Sequence, residues 1–349
     1  MRAFQLVEWQ KPAELREVPV PEPGPGQVLV KIGGAGACHS DLHILEMDKP
    51  PAGAKSFKLP VTLGHENAGW VEKLGPGATG FGKGDPVIVY GPWGCGLCMN
   101  CRMGMENYCQ KPGGPTPGGL GPYDGGMAPY LLVPATRFLV PLGNLDPRDA
   151  APLSDAALTS YHAIKRSLHL LGPGSTAAVI GAGGLGQMAI QILRALSTAT
   201  IIVAVDTAAD KLEVAKRMGA DEALLSGDRA VQHVKDMTQG QGAEVVLDLV
   251  GVNKTLQMAA QMARVLGHLT IVGLGGGALP VNFFSPAKEC SVTSPFWGSI
   301  PELMEVVSLA QAGKIKMLVE HFPLERAGEA YDLLHEGKIQ GRAVITPAA

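Results

Sequence analysis

The spacing of apolar residues changes character near residue 155 of this chain. Before residue 150, short apolar runs lie between glycine and proline residues, at 27–32, 69–73 and 85–90. Runs of this length bounded by turn residues predict β-strands, and together they favour an irregular β-rich domain. The glycine- and proline-rich stretch 111–126 predicts a loop with little regular structure.

After residue 175 two kinds of segment alternate. Continuous apolar runs predict buried strands at residues 176–180, 200–205, 244–249 and 268–274. The segments between them predict helices at residues 185–196, 210–218, 230–238 and 254–266. This alternation predicts an α/β fold, a doubly wound parallel sheet with helices on both faces. Gly219 is placed to cap the second helix, while a last helix (300–312) and a strand (342–346) are expected to rejoin the β-rich domain.

Length and composition favour two globular domains and argue against several classes of function. The chain has 349 residues, more than one ordinary core holds, and 46% of them are hydrophobic. Charged residues make up 17%, below the roughly 25% usual for soluble domains, which favours subunit interfaces. With a net charge of −3 and no basic run, the chain is not expected to bind nucleic acid. It has no apolar stretch of about 18 residues and no signal-peptide pattern, so we expect a cytoplasmic protein that does not bind a membrane.

A glycine-rich turn follows the first predicted buried strand and opens a helix. Its residues are Gly181, Ala182, Gly183, Gly184, Leu185 and Gly186. This G-x-G-x-x-G pattern lets the backbone approach a pyrophosphate at a helix N-terminus. Asp206 ends the next strand, where a carboxylate can bind both adenosine ribose hydroxyls and would repel a 2′-phosphate, so NAD is predicted rather than NADP. Lys211 is a further candidate for a ribose contact. The alternatives are an ordinary helix-start turn, a capping Asp206 and a solvated Lys211.

Four cysteines lie within fifteen residues, at Cys95, Cys98, Cys101 and Cys109. Four thiolates at short spacings suit tetrahedral coordination of a structural zinc ion. An iron–sulfur cluster is the alternative, but the bacterial pattern ends in a gap of about three residues, and the last gap here is seven. A closed four-cysteine site has no vacant position, so this zinc should hold the loop rather than do chemistry.

A second set of possible metal ligands is spread along the chain. Cys38, His65 and Asp155 offer a thiolate, an imidazole and a carboxylate, three donors for a zinc ion with one open position. Taken singly, Cys38 is better explained as a buried apolar cysteine and His65 as a hydrogen-bonded core histidine. The sequence alone does not establish that the three meet in space.

Together these motifs resemble the zinc-dependent medium-chain dehydrogenase family, specifically bacterial alcohol dehydrogenases that act on secondary alcohols. The similarity runs nearly end to end, in the family's order, through Pro23-Gly-Pro-Gly26, Cys38-His-Ser-Asp41, Gly64-His-Glu66, Gly82-Lys-Gly-Asp85, the cysteine cluster, Leu153-Ser-Asp155, the glycine-rich turn and Gly341-Arg342. The resemblance implies a GroES-like catalytic domain at 1–154, to which 299–349 return, and a Rossmann NAD-binding domain at 155–298. It also implies a homo-oligomer, either a dimer or a tetramer.

The resemblance further implies two zinc ions per chain, one structural and one catalytic. Cys38, His65 and Asp155 would bind the catalytic ion, and Asp155 matches the bacterial subgroup where many relatives carry cysteine. Glu66 would lie beside that ion and bind it transiently. Asp41 would orient His65 and fix its tautomer.

A proton relay and contacts with NAD are implied as well. Ser40 would take the proton of the alcohol, and the cofactor ribose would pass it toward His43, where some relatives lack histidine. Contacts with the cofactor would come from His39, Thr159 and Arg342. The implied reaction is the reversible transfer of a hydride from an alkoxide held on zinc to NAD.

The substrate pocket is expected to be apolar. The resemblance implies that Leu120, Phe296 and Trp297 line it, with Trp93 nearby. These large apolar side chains favour small aliphatic or aryl alcohols and ketones over sugars. For Trp297, a core aromatic at a strand end is an equal alternative, and Cys290 is expected to be a buried apolar residue. One alternative is a polyol dehydrogenase of the same superfamily, although residues 296–297 lack the polar side chains that it would need. A zinc-free quinone or enoyl reductase is disfavoured, because such enzymes lack the cysteine cluster and the Cys38/His65 pair. A non-catalytic NAD-binding protein with one structural zinc is a further alternative.

Overall fold

The computed structural model describes residues 1–49, 57, 59–197 and 200–347. Its strands are β1 (Arg2–Leu6), β2 (Glu14–Glu17), β3 (Val28–Ala37), β4 (Val61–Thr62), β5 (Glu66–Leu74), β6 (Pro86–Val89), β7 (Tyr130–Val133), β8 (Leu139–Pro141), β9 (Thr176–Ile180), β10 (Ile201–Asp206), β11 (Glu222–Leu225), β12 (Ala243–Asp248), β13 (Ala263–Ile271), β14 (Ser291–Thr293), β15 (Val319–Pro323) and β16 (Arg342–Thr346). Its α-helices are α1 (His39–Glu46), α2 (Met99–Arg102), α3 (Pro147–Ala150), α4 (Ala156–Ser167), α5 (Gly184–Leu196), α6 (Ala209–Arg217), α7 (Asp228–Met237), α8 (Asn253–Met262), α9 (Ile300–Gln311) and α10 (Ala327–His335).

The chain divides into two compact units. The first unit consists of Met1–Leu158, Trp297–Gln311 and Met317–Ala349, and the second of Thr159–Phe296 and Ala312–Lys316. Among the described residues, no helix is both long enough and apolar enough to cross a bilayer.

The first unit is built on two largely antiparallel sheets. One has the order β2-β1-β4, and the other the order β15-β16-β3-β5-β6-β8, with β7 also pairing with β3. The long strand β3 is almost wholly buried, because nearly every residue in it is apolar or glycine. Its end lies against the start of β5, where Gly36 pairs with Glu66. This pairing places residues from distant parts of the chain at one end of the sheet.

The second unit contains a six-stranded sheet with the order β11-β10-β9-β12-β13-β14, in which every pair is parallel. Numbered from β9, this is the 3-2-1-4-5-6 order of the dinucleotide-binding Rossmann fold. Apolar side chains of α7 and α8 pack with those of the central strands in one buried cluster. The predicted α/β fold class, with its parallel sheet, is therefore confirmed.

Three local predictions can be compared directly with the structure. Gly219 follows α6 with φ +109°, a left-handed conformation that glycine adopts readily, so the predicted cap is confirmed. The stretch 111–126 has little regular structure, as predicted. The predicted helix over 254–266 is wrong beyond Met262, because Ala263 already pairs with Ala243 and begins β13.

Candidate active site

Four possible metal ligands converge in the first unit. Cys38, His65, Glu66 and Asp155 each offer a donor atom, and all four atoms lie within 4.8 Å of one another. The Asp155 Oδ2 atom is 3.4 Å from His65 Nε2 and 3.8 Å from Cys38 Sγ. Asp155 is partly exposed, while the other three are buried. We call these four residues the mixed cluster.

The antiparallel pairing of β3 with β5 assembles most of this cluster. Cys38 follows β3, and His65 and Glu66 lie at the start of β5. Gly36 is required here, because a Cβ atom at this position would come within 2.0 Å of Glu66 Oε2. Asp155 arrives from a short 3-10 turn that ends at Ser154, just before α4. The cluster therefore depends on tertiary contacts between segments up to 117 residues apart.

The His65 imidazole is held by a buried carboxylate. Its Nδ1 atom lies 2.8 Å from Asp41 Oδ1, and the backbone N–H of Cys38 donates to Asp41 Oδ2 at 3.0 Å. Burial disfavours the protonated imidazole, but the charge of Asp41 and hydrogen bonds with Asp155, Asp41 and Cys38 outweigh it and hold the pKa of His65 well above its usual value. Binding of a metal ion at Nε2 would displace that proton.

Glu66 forms a buried ion pair with Arg342. The guanidinium donates to both carboxylate oxygens, with Nη2 2.5 Å from Oε1 and Nε 3.1 Å from Oε2. It also donates to Cys38 Sγ at 3.1 Å. Burial raises the pKa of Glu66 to about 7, although the charge of Arg342 favours the ionised carboxylate. Arg342 thus lies among the possible metal ligands in this structure, and its contact with a cofactor phosphate stays a prediction.

The chemistry of this donor set fits zinc. A thiolate, an imidazole and a carboxylate are ligands that zinc accepts, and three protein ligands leave one position for another molecule. The buried Arg342 offsets part of the negative charge of Cys38, Glu66 and Asp155. A carboxylate that fixes the tautomer, as Asp41 does for His65, is a usual partner of a metal-binding imidazole.

The second cluster consists of Cys95, Cys98, Cys101 and Cys109, whose sulfur atoms also lie within 4.8 Å of one another. Backbone N–H groups of Leu97 and Cys98 point at Cys95 and lower the pKa of its thiol to about 6. Burial raises the pKa of Cys101 to about 12. The all-thiolate set and the N–H donors around it fit a four-coordinate structural zinc. We call this set the cysteine cluster.

The glycine-rich turn lies at the carboxyl end of β9 in the second unit. Gly186 allows close packing of helix and strand, because a Cβ atom there would come within 2.0 Å of the Gly181 carbonyl oxygen. A Cβ atom at Gly183 would meet no other atom within 4 Å, so the turn is open on that side. Asp206 accepts hydrogen bonds from the backbone N–H groups of Ala182 and Ala208, at 2.7 and 3.0 Å. The turn and the carboxylate are therefore adjacent, as binding of a dinucleotide requires.

The other predicted site residues vary in exposure. His39 is exposed, and Ser40 and His43 are partly exposed on the same helix, α1. The Ser40 Oγ atom lies 3.7 Å from Cys38 Sγ. In the second unit Thr159 is buried and Lys211 is partly exposed on α6.

The four aromatic and aliphatic candidates for the pocket also differ. Trp297 is buried, and its ring meets that of His65 edge-on with centroids 5.6 Å apart, while Nε1 donates to the Ser154 carbonyl. Trp93 is buried as well, and its Nε1 donates to the Tyr90 carbonyl. Leu120 is partly buried and Phe296 is exposed. Trp297 thus contacts the mixed cluster directly.

Comparison with known proteins gives a consistent result. Residues 24–144 match the alcohol dehydrogenase GroES-like domain, and residues 184–312 match the zinc-binding dehydrogenase domain. An NAD-dependent alcohol dehydrogenase of Sulfurisphaera tokodaii is 41% identical over 99% of this chain and 100% of the relative. This chain belongs to the zinc-dependent medium-chain alcohol dehydrogenase family.

Two further members of the family are similar over their whole length. A D-arabinose 1-dehydrogenase (NADP+) of Saccharolobus solfataricus is 36% identical over 99% of this chain and 97% of the relative. The crystal structure of the alcohol dehydrogenase of Aeropyrum pernix superposes with a TM-score of 0.90 and 34% identity, covering 99% of this chain and 100% of that one. Family membership therefore includes enzymes named for alcohols and for a sugar.

Sequence reasoning missed two residues, one next to the mixed cluster and one next to the cysteine cluster. Tyr331 on α10 donates from its hydroxyl to Asp41 Oδ2 at 3.0 Å. Arg137 donates from Nε to Glu106 Oε1 and from Nη2 to the Gly94 carbonyl, beside the cysteine cluster. Neither has a local sequence signal, because each partner is reached only through tertiary folding.

Proposed function

We propose that this chain is an NAD-dependent alcohol dehydrogenase that reversibly oxidises secondary alcohols to ketones. The mixed cluster is the observation that supports the proposal most directly. Cys38, His65 and Asp155 would hold a catalytic zinc, and the cysteine cluster would hold a structural one. When bound at the mixed cluster, zinc supplies Lewis acidity that lowers the pKa of an alcohol oxygen and polarises a carbonyl.

The residues around the mixed cluster would carry the proton of the alcohol to solvent. Ser40 would accept the proton of the alcohol at Oγ, and His43 would receive it one turn later along α1, since residues three apart share a helix face. Both are partly exposed, so the proton can reach solvent. Glu66, whose carboxylate oxygens accept from Arg342, would bind the zinc transiently.

NAD would bind to the second unit. The glycine-rich turn, open at Gly183, and the backbone N–H groups at the start of α5 suit a pyrophosphate. Asp206 and Lys211 would contact the adenosine ribose, and the negative charge of Asp206 disfavours NADP. Thr159 of the same unit would add a further contact with the cofactor, as the family resemblance implies.

Apolar walls support secondary alcohols of the aliphatic or aryl type as substrates. The buried Trp297 ring stands beside His65 and would press against any molecule at the mixed cluster. Leu120 and Trp93 would extend this surface. A sugar or polyol would place its additional hydroxyl groups against these apolar side chains, where they would lack hydrogen-bond partners.

The test combines activity with a count of zinc ions. NADH formation would be followed with propan-2-ol and 1-phenylethanol for the wild type, Asp155→Ala and Asp149→Ala. Asp149 is the matched control, because its carboxylate is exposed and pairs with His321 instead. We expect two zincs and turnover in the wild type and in Asp149→Ala, and one zinc without turnover in Asp155→Ala. One zinc and no turnover in the wild type would instead favour a non-catalytic NAD-binding protein.

A sugar dehydrogenase is the second candidate, and the 36% identity to a D-arabinose 1-dehydrogenase (NADP+) favours it. It would require polar side chains around the substrate and tolerance of a 2′-phosphate next to Asp206. Turnover of D-arabinose or a polyol with NADP, faster than that of propan-2-ol with NAD, would establish this alternative.

We further propose a homo-oligomeric enzyme of the cytoplasm. Strand β14 is the last in its sheet, and the apolar residues Val281, Phe283 and Phe284 before it are exposed, Phe284 by 89%. Exposed apolar surface of this kind is typical of subunit interfaces. None of the six cysteines forms a disulfide, as expected in a reducing compartment. Light scattering of the purified enzyme would distinguish a dimer, a tetramer and a monomer.

A further inference from the structure

Asp41 is a fully buried carboxylate with three hydrogen-bond donors around it. Its exposure is 0%, and the backbone N–H of Cys38 and the Nδ1 atom of His65 account for two of its contacts. The third donor is the hydroxyl of Tyr331, 3.0 Å from Oδ2. Tyr331 lies on α10, 290 residues after Asp41, and α10 packs against α1. A helix near the end of the chain thus reaches the residue that orients His65.

The Tyr331 hydroxyl has one strong acceptor. Its only other neighbour with a lone pair in the described contacts is Met127 Sδ, at 3.4 Å, and a thioether is a weak acceptor. Burial and the charge of Asp41 raise the pKa of Tyr331 well above its usual value, so the hydroxyl keeps its proton. The ring is also fixed, because it stacks on Phe4 with an interplanar angle of 18°. The hydrogen therefore points at Asp41.

Two donors on Oδ2 and one on Oδ1 leave the Asp41 carboxylate a single orientation. That orientation matters because Oδ1 faces His65 Nδ1, and the opposite ring atom, Nε2, faces Asp155 in the mixed cluster. Outer partners of this kind fix the tautomer and the direction of a metal-binding imidazole. Without the tyrosine hydroxyl, the Cys38 N–H would be the one donor to Oδ2 left among the described residues.

We propose that Tyr331 is a positioning residue of the catalytic metal site, acting through Asp41 on the direction in which His65 presents Nε2. This inference rests on the proposed zinc site at the mixed cluster. It concerns how firmly that site holds its metal, and the cysteine cluster lies outside its reach.

The test is the rate at which each zinc leaves the protein for a chromogenic chelator. Tyr331→Phe removes one oxygen atom and keeps the ring that stacks on Phe4. We expect one of the two zincs to leave about tenfold faster, at the lower end of the range for lost outer partners. The other zinc should leave at the wild-type rate. Asp155→Ala identifies the affected zinc, because its release phase should be missing in that variant.

Two control variants separate positioning from packing. Met127→Leu changes the other neighbour of the hydroxyl at nearly constant volume and should leave both rates unchanged. Tyr90→Phe removes an equally buried hydroxyl, one that donates to the Gly298 carbonyl, and should leave the mixed-cluster zinc unaffected. If Met127→Leu accelerates release as much as Tyr331→Phe, loosened packing is the cause and the inference is wrong.

A double variant tests whether Tyr331 acts through Asp41. Asp41→Asn alone should accelerate release, and adding Tyr331→Phe should change the rate by less than about twofold, because coupled residues are not additive. Full additivity, or a Tyr331→Phe variant that folds and releases both zincs at wild-type rates, would overturn the inference. A wild type with only one zinc would instead contradict the proposed function.

Discussion

The two clusters of the first unit use opposite designs for a metal site. The cysteine cluster takes all four ligands from fifteen consecutive residues, and backbone N–H groups of the same segment surround it. The mixed cluster takes its ligands from the end of β3, the start of β5 and the turn before α4, and the buried Arg342 contacts it. The cysteine cluster is local and closed. The mixed cluster is assembled from distant segments of the unit and offers more possible ligands than a three-ligand zinc site needs.

This difference separates stability from chemistry. Four thiolates complete the coordination of zinc, so nothing else can bind there. In the mixed cluster three ligands suffice, and Glu66 has an alternative partner in Arg342. A metal site that binds a substrate needs an open coordination position. Its three protein ligands must then be held in place by the surrounding fold, because they do not come from one short loop.

Loss of a ligand from the mixed cluster should have the largest effect. Cys38→Ala should lower kcat/KM by more than the roughly 100-fold that loss of an outer partner costs. The variant should keep one zinc per chain and nearly the wild-type melting temperature. Steady-state kinetics, zinc analysis and a thermal melt would check this. Retention of two zincs would show that Cys38 is not a ligand.

Loss of a ligand from the cysteine cluster should have the reverse profile. Cys109→Ser should release one zinc and lower the melting temperature by roughly 10 °C, because binding of a structural metal contributes directly to folding. The folded fraction should keep its activity within about twofold. Cys290→Ser is the control, since Cys290 lies outside both clusters and should retain both zincs. Equal losses of activity in Cys109→Ser and Cys38→Ala would erase the distinction between the clusters.

The same contrast explains how much the sequence could predict. The cysteine cluster was predictable from spacing alone, because its ligands are neighbours in the chain. The mixed cluster became predictable only through the family resemblance, since no spacing rule links Cys38 to Asp155. Tyr331 was beyond both approaches, because its contact with Asp41 depends on where α10 packs.

The fold shows a similar division. Strand β9 was predicted with its observed ends, because a buried parallel strand is a continuous apolar run. The end of α8 was not, because the apolar residues Ala263, Val265 and Leu266 suit a helix and a strand alike. The pairing of Ala263 with Ala243 decides in favour of the strand. Leu266 adopts φ +61°, which a right-handed helix does not allow. Strand β2 was also missed, since all four of its residues are exposed and no apolar alternation marks it.

Breaking the buried ion pair of the mixed cluster should cost stability as well as activity. Glu66→Gln leaves the Arg342 guanidinium buried without its main partner, which should lower the free energy of unfolding by about 3–5 kcal/mol. Urea denaturation would measure this. Asp146→Asn is the matched control, because it breaks an exposed pair with Arg148 and should cost at most about 1 kcal/mol. Equal effects of the two substitutions would mean that burial of the pair is unimportant.

The smallest predicted effect concerns Arg137, which lies beside the cysteine cluster and contacts residues next to its ligands. Glu106 is buried, Arg137 donates to its Oε1 at 2.9 Å, and a Cβ atom at Gly94 would approach both Glu106 Oε2 and Cys101 Sγ. Arg137 thus brings a positive charge to a carboxylate next to the thiolates, and its second hydrogen bond holds the Gly94 carbonyl, one residue before Cys95.

Arg137→Gln should therefore accelerate release of the cysteine-cluster zinc by about three- to tenfold, somewhat below the usual cost of losing an outer partner. Arg137→Lys keeps the charge but loses the paired N–H groups. The rate of zinc release from this variant should therefore lie between those of the wild type and Arg137→Gln. The mixed-cluster zinc should leave at the wild-type rate in both variants. This is the opposite of the result expected for Tyr331→Phe, in which only the mixed-cluster zinc leaves faster. If Arg137→Gln instead accelerated release of both zincs, the two clusters would share one support, and their separation into a local and an assembled site would have to be abandoned.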